Sequence, residues 1–237
     1  MTRRRFIADE VSGDRAALTG DHAAHLTRVL RARVGQEFDI ATESGVRRGQ
    51  ITHIDNHRVE FELGEAVAAS SMVRLTLLLA VFKFDRMEWA IEKCTELGVS
   101  CIVPVIARRT DAHLAAASEK RVERWRRIGL QAAEQSRRAT PPEITTPANL
   151  PQALSLKCGL RIVLAESESQ TMLRDVLDSA TSRNELALAI GPEGGWTEEE
   201  LHLFQQSGWT AASLGNTILR AETAAIAATA IALSQFS

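Results

Sequence analysis

The stretch Leu186-Ala187-Leu188-Ala189-Ile190-Gly191-Pro192-Glu193-Gly194-Gly195-Trp196-Thr197-Glu198-Glu199-Glu200-Leu201 passes from strand to turn to helix start with no residue to spare. Five apolar residues in a row, without alternation, describe a strand buried on both faces. The glycines at 191, 194 and 195 around Pro192 mark a turn, and they clear side chains from a place where a ligand could approach the backbone. Thr197 and Glu200 have the spacing of a capping box, and Trp196 with Leu201 that of a hydrophobic staple, so the next helix has a defined first residue. A buried strand that feeds a helix in this way belongs to a parallel α/β sheet, which places its ligands at the carboxyl ends of its strands.

Outward from this unit the same texture continues. Nearly continuous apolar runs at 75–82, 99–106, 160–165 and 211–214 alternate with helix-like segments at 87–97, 119–135, 171–180, 198–206 and 222–235. Together they predict a parallel sheet covered by helices on both faces. The first 70 residues differ. Short β segments at 5–8, 37–41, 49–54 and 58–63, punctuated by turns and one helical stretch at 22–30, predict a small β-barrel. Small and polar residues at 67–71 form the expected linker. Two domains follow, a β-barrel over 1–70 and an α/β domain over 73–237.

The chain of 237 residues is 45% hydrophobic, enough to bury a core, and its net charge of -2 argues against binding nucleic acid by charge alone. That figure hides an asymmetry. Residues 1–140 carry 23 Lys and Arg against 19 Asp and Glu, while 141–237 carry 5 against 11. Cys94, Cys101 and Cys158 show no C-x-x-C spacing and suit reduced thiols, so a cytoplasmic address is expected. No signal-peptide core follows the basic start, and no apolar run reaches membrane-spanning length. Six histidines, none in a cluster with ligand spacing, predict no metal.

A second glycine turn, Ser213-Leu214-Gly215-Asn216-Thr217-Ile218-Leu219-Arg220-Ala221-Glu222-Thr223-Ala224, again joins a strand end to a helix start. Two such turns on neighbouring strand ends would form facing walls of one pocket. A nucleotide-phosphate loop is disfavoured, because neither G-x-G-x-x-G nor G-x-x-x-x-G-K-[ST] is present. Taken singly, each turn could be only a tight connection, and Glu222 only a complement to the helix dipole.

The pair "IGPEGGWTEEE" and "LGNTILRAETAAIAA" resembles the two C-terminal cofactor motifs of the ribosomal RNA small subunit methyltransferase E family, uridine-N3 methyltransferases of the SPOUT class. "HLTRVLR", "KFDRMEWAIEKCTELGVSCIVPV" and "RVERWRRIGLQAAEQSRRATPPEI" match in the same order, so the resemblance covers essentially the whole chain. Thr217 departs from it, standing where the family pattern has arginine. The resemblance implies a PUA-like RNA-binding barrel and a SPOUT α/β domain with a C-terminal trefoil knot. It implies S-adenosylmethionine as cofactor, held by Leu164, Ala165 and Glu166, by Ile190, Gly191, Pro192, Glu193 and Gly194, and by Leu214, Gly215, Ile218, Leu219, Arg220, Thr223 and Ala224. It implies N3 methylation of a uridine in 16S ribosomal RNA, free or in the small ribosomal subunit, by a homodimer. The alanines of the last helix, at 221, 224, 225, 227, 228 and 230, would permit close packing between subunits or inside one.

Arg220 is expected to stabilise charge on the uracil oxygens, with Glu222 or Glu193 taking the imide proton. Arg4, His25, Arg28, Arg31, Arg121, Arg124, Arg127 and Arg138 are the expected RNA contacts, the arginines at 121, 124 and 127 lying near one helix face. A non-catalytic RNA-binding assembly factor is the alternative of a different class. A nicotinamide-dependent oxidoreductase would need a glycine fingerprint after the first strand, which is absent.

Overall fold

The computed structural model describes residues 5–42, 45–55, 57–67, 73–180 and 184–236, in two compact units: Met1–Ser70 with Ala133–Thr140, and Ser71–Ala132 with Pro141–Ser237. Of the expected linker, only Val67 is among them.

In the first unit six strands, β1 (Arg5–Ile7), β2 (Glu10–Ser12), β3 (Arg15–Thr19), β4 (Glu37–Thr42), β5 (Gly45–Ile54) and β6 (Arg58–Ala66), pair in the order β1-β4-β5-β6-β3-β2. The two edges are consecutive in the chain. Ala8 N donates to Ala41 O at 2.9 Å and Asp9 N to Ala17 O at 3.0 Å, so residues 5–12 run from one edge to the other and close the barrel. Leu18, Phe38, Ile40, Ile51, Val59 and Phe61 fill it. β2 and β3 were not among the expected strands. The helical stretch is a short α1 (Gly20–Ala24) continued by a π-helical turn, His25–Val29.

Gly49 illustrates how tightly the barrel is filled, because a Cβ there would overlap Ile40 and press on Phe61. Gly49→Ala is expected to destabilise the barrel by about 1–3 kcal/mol through overpacking, measured by urea unfolding.

The second unit holds β7 (Arg74–Ala80), α2 (Phe84–Leu97), β8 (Cys101–Ile106), α3 (Ala112–Ser118), α4 (Val122–Gln135, which runs on into the first unit), β9 (Glu143–Ile144), β10 (Ala148–Asn149), α5 (Leu150–Leu154), β11 (Leu160–Leu164), α6 (Leu173–Asp178), β12 (Glu185–Ile190), α7 (Glu198–Gln206), β13 (Thr210–Ala212) and α8 (Ala221–Phe236). Every strand pair in its sheet is parallel, in the order β10-β8-β7-β12-β11-β13, with β9 also on β8.

Both faces are buried, which is why the strands read as unbroken apolar runs. Leu75, Leu77, Leu79, Leu186, Leu188 and Ile190 face one core, with Ile91 of α2, Leu177 of α6 and Ala225 of α8. Leu78, Ala80, Ala187 and Ala189 face the other, where Trp196, Phe204 and Trp209 stack edge to face at 4.9 and 5.2 Å. Small side chains on β12 leave the space that these three rings occupy. No helix among the described residues is long and apolar enough to cross a membrane.

Candidate active site

Three loops leave the carboxyl ends of the adjacent strands β12, β11 and β13, and they converge on a cavity of about 530 Å³. They are 165–172, 191–197 and 213–220, and each is held in a different way.

The turn after β12 is closed by Gly195 N donating to Pro192 O at 2.8 Å, with Gly195 at φ 68, a left-handed conformation that favours glycine. Its exit is the expected capping box. Glu200 N donates to Thr197 Oγ1 at 3.2 Å, and Thr197 N to Glu200 Oε2 at 2.9 Å. Glu200 is buried, and its other oxygen accepts from Arg108 N at 2.8 Å, so both carboxylate oxygens are satisfied. Arg109 clamps the turn from outside, donating through Nη1 to Gly194 O at 2.5 Å and Trp196 O at 3.4 Å. Lys83 N approaches Glu193 Oε1 at 3.4 Å.

In the loop after β11, Glu168 Oε1 accepts from Thr171 N at 2.9 Å and Gln170 N at 2.8 Å, and these backbone bonds hold its carboxyl below the usual range. The loop after β13 is tied back by Ser213 N donating to Thr171 O and Leu173 N to Ser213 O, both at 2.9 Å. Gly215 has φ 130 and nothing within 4 Å of the place a Cβ would take. Ile218 stands at the cavity, 82% exposed.

Thirteen of the residues assigned to the cofactor line this cavity: Leu164, Ala165, Glu166, Ile190, Gly191, Pro192, Glu193, Leu214, Gly215, Ile218, Leu219, Arg220 and Ala224. Gly194 and Thr223 do not. The Gly194 carbonyl is engaged by Arg109, and Thr223 lies on an exposed side of α8. Thr217, where the family pattern is broken, is also on the wall. Arg86, Glu168, Ser169 and Asn216 line the cavity without having been assigned to it, as does Trp196, read from the sequence only as part of a hydrophobic staple. Arg86 opens α2, which follows β7, the neighbour of β12, so only the strand order reveals that it belongs here.

Glu222, expected to act on the substrate, is buried in the first turn of α8 and does not itself line the cavity; its Oε1 lies 3.7 Å from Nε of Arg86, which does. The alanine helix is likewise used inside the subunit. Ala221, Ala225, Ala228 and Ala232 of α8 are buried, and Thr229 Oγ1 donates to Cys94 Sγ of α2 at 3.6 Å. Burial pushes the Cys94 thiol up to about 12 and the Cys101 thiol to about 11, so neither is a ready nucleophile.

The arginines expected to meet RNA divide. Arg124 donates to both oxygens of Glu88, at 2.6 and 2.7 Å, and this pairing holds its guanidinium above its ordinary value. Arg121 lies 3.8 Å from the same carboxylate and 4.6 Å over the Phe84 ring. Arg127 is exposed without an ion pair among the described residues, and Arg138 is half-buried, which lowers its pKa. In the barrel His25, Arg28 and Arg31 are exposed, whereas Arg4 lies outside the described residues.

Comparisons with known proteins agree with this architecture. A family profile for an RNA methyltransferase domain matches residues 69–233, and one for an RNA methyltransferase PUA domain matches 18–64. The ribosomal RNA small subunit methyltransferase E of Synechocystis sp. is 34% identical over 237 residues, covering 94% of this chain and 75% of that protein. The protein of the same name from Rickettsia conorii is 33% identical over 219 residues, covering 90% and 87%. The crystal structure of the Neisseria gonorrhoeae ribosomal RNA small subunit methyltransferase E bound to S-adenosyl methionine superposes with a TM-score of 0.74 at 29% identity, covering 97% of this chain and 96% of that one. A putative methyltransferase of Legionella pneumophila in complex with SAM gives a TM-score of 0.73 at 29% identity, covering 99% and 98%.

Proposed function

Because this chain belongs to the ribosomal RNA small subunit methyltransferase E family, we propose that it methylates N3 of a uridine in 16S ribosomal RNA with S-adenosylmethionine. The observation that carries this reading is the cavity, where three loops present bare backbone at Gly191 and Gly215 beside apolar walls at Leu164, Ile190 and Leu214. Its volume suits a ligand of nucleoside size, and Gly215 leaves open the space a side chain would fill. S-adenosylmethionine, when bound, supplies an electrophilic methyl group. The residues named above would hold it.

The protein's own part is to orient and to manage charge. Uracil N3 lies on the Watson–Crick edge, so the target base must be unpaired or flipped. Its imide proton must go to a group within hydrogen-bond reach. Glu193 and Glu166 are the cavity carboxylates left for that task, since the Glu168 oxygen already caps its own loop. Arg220, a cation exposed on the wall, can stabilise the negative charge that grows on the uracil carbonyl oxygens. We place the substrate RNA also on the barrel, along His25, Arg28 and Arg31, and on Arg127 in α4. The strand order, in which the chain passes over β11 between β12 and β13, supports a SPOUT-type trefoil knot around the cavity.

Nucleoside mass spectrometry should find 3-methyluridine in small-subunit RNA incubated with protein and S-adenosylmethionine, and no such product without the protein. A protein that binds RNA but not S-adenosylmethionine would instead be an assembly factor. We also propose a cytoplasmic homodimer; of the alanines expected at its interface, Ala221, Ala225 and Ala228 are buried inside the subunit, and Ala224, Ala227 and Ala230 are partly exposed. Light scattering at micromolar protein should give twice the chain mass.

A further inference from the structure

Glu222 is a buried carboxylate with an incomplete environment. Its side chain is 4% exposed, Oε2 has no hydrogen-bond partner, and Oε1 meets Arg86 Nε at 3.7 Å. A buried charge is costly unless an opposite charge compensates it. Among the described residues Arg86 is the cation within ion-pair distance. The pair also joins the first turns of two helices, α2 and α8, that pack together inside the subunit.

Seen from Arg86, the same contact has a different meaning. Its side chain is 30% exposed and lines the cavity, and its guanidinium donates no hydrogen bond to a protein acceptor among the described residues. A long arginine side chain loses rotamer freedom on binding a ligand, and an anchored one surrenders less of it. Its planar fork of donors matches the oxygens of a carboxylate or a phosphate. Around the cavity stand three carboxylates, Glu166, Glu168 and Glu193, and two cations, Arg86 and Arg220. An anionic group entering there has few places to go.

We propose that Arg86, held in place by Glu222, is the residue of the cavity that receives an anionic oxygen, either the amino-acid carboxylate of the cofactor or a phosphate of the RNA. Glu222 is then a positioning residue that acts through Arg86. This rests on the function proposed above.

Calorimetry on the full chain separates the possibilities. The probes are S-adenosylhomocysteine, which has the carboxylate, methylthioadenosine, which lacks the amino-acid part, and a small-subunit RNA fragment. If the oxygen is the carboxylate, Arg86→Gln weakens S-adenosylhomocysteine binding by about 10-fold, roughly the effect of one lost charged hydrogen bond. Methylthioadenosine affinity then stays within about twofold, and Arg86→Lys recovers part of the loss. If the oxygen is a phosphate, the loss appears in RNA affinity, with a salt slope shallower by about one, and both nucleosides are unaffected. In either case Glu222→Gln should reproduce most of the Arg86→Gln effect, and the double variant should lose no more than the worse single one.

Equal weakening of both nucleosides would mean a merely structural role, and additive losses in the double variant would mean independent residues. Either result overturns the proposal, as does unchanged affinity for all three probes. Should Glu222→Gln fail to fold, Arg86→Gln and Arg86→Lys decide alone. A wild-type chain that binds neither nucleoside overturns the proposed function instead, and the RNA arm then decides about Arg86.

Discussion

Gly215→Val is expected to abolish S-adenosylmethionine binding, a loss of roughly 100-fold or more, worth about 2.7 kcal/mol. Two effects act together. At φ 130 a β-branched residue is strained by about 1–3 kcal/mol, which moves the loop after β13 away from its observed path. Nothing lies within 4 Å of the Cβ position, so the added side chain projects into space the cavity provides. Circular dichroism should remain near wild type, because Gly215 belongs to neither core and Leu214 alone of that loop packs against one. Gly194→Val makes an informative contrast. It would press on the Arg109 side chain, 3.2 Å from the Cβ position, and disturb the clamp on the turn rather than the wall itself. Its effect on affinity should be smaller and should be mimicked by Arg109→Ala. Unchanged affinity in Gly215→Val would remove the cavity from the cofactor's binding site.

The second large effect is on turnover. Arg220→Ala should lower kcat by about 100- to 1000-fold, the range seen when one donor to a developing oxyanion is removed, while RNA affinity changes by less than about threefold. The asymmetry follows from timing. Charge on the uracil oxygens develops only in the transition state, so the residue contributes there and little in the bound ground state. Single-turnover kinetics with saturating RNA isolates that step. Arg220→Lys keeps the charge but loses the fork of donors, and should fall between wild type and alanine. A variant with normal turnover and weakened RNA binding would make Arg220 a phosphate contact and end its assignment to the chemistry.

What was legible in the sequence was local. The run 186–190, the glycine turn and the Thr197–Glu200 box fall where they were expected, and α7 spans the expected 198–206, because burial on both faces, a left-handed glycine and reciprocal capping bonds all act within a few residues. The neighbouring motif at 213–224 was legible for the same reason. Features that join distant parts of the chain were not. β2 and β3 are short, and β3 carries two alanines, so they have little strand character of their own and form because β6 offers an edge. Arg124 reads from its spacing as one of three RNA-facing arginines on a helix; α2 brings Glu88 against it. Glu222 looked like a residue of the site, and Arg86 like one charge among many on a helix. The parallel sheet sets β7 beside β12, and the packing of α8 on α2 then turns the carboxylate inward and leaves the guanidinium at the cavity. Spacing along a chain specifies which side chains can share a helix face or a turn; which of them meet across the molecule is set by strand order and helix packing, and there tertiary structure alone decides.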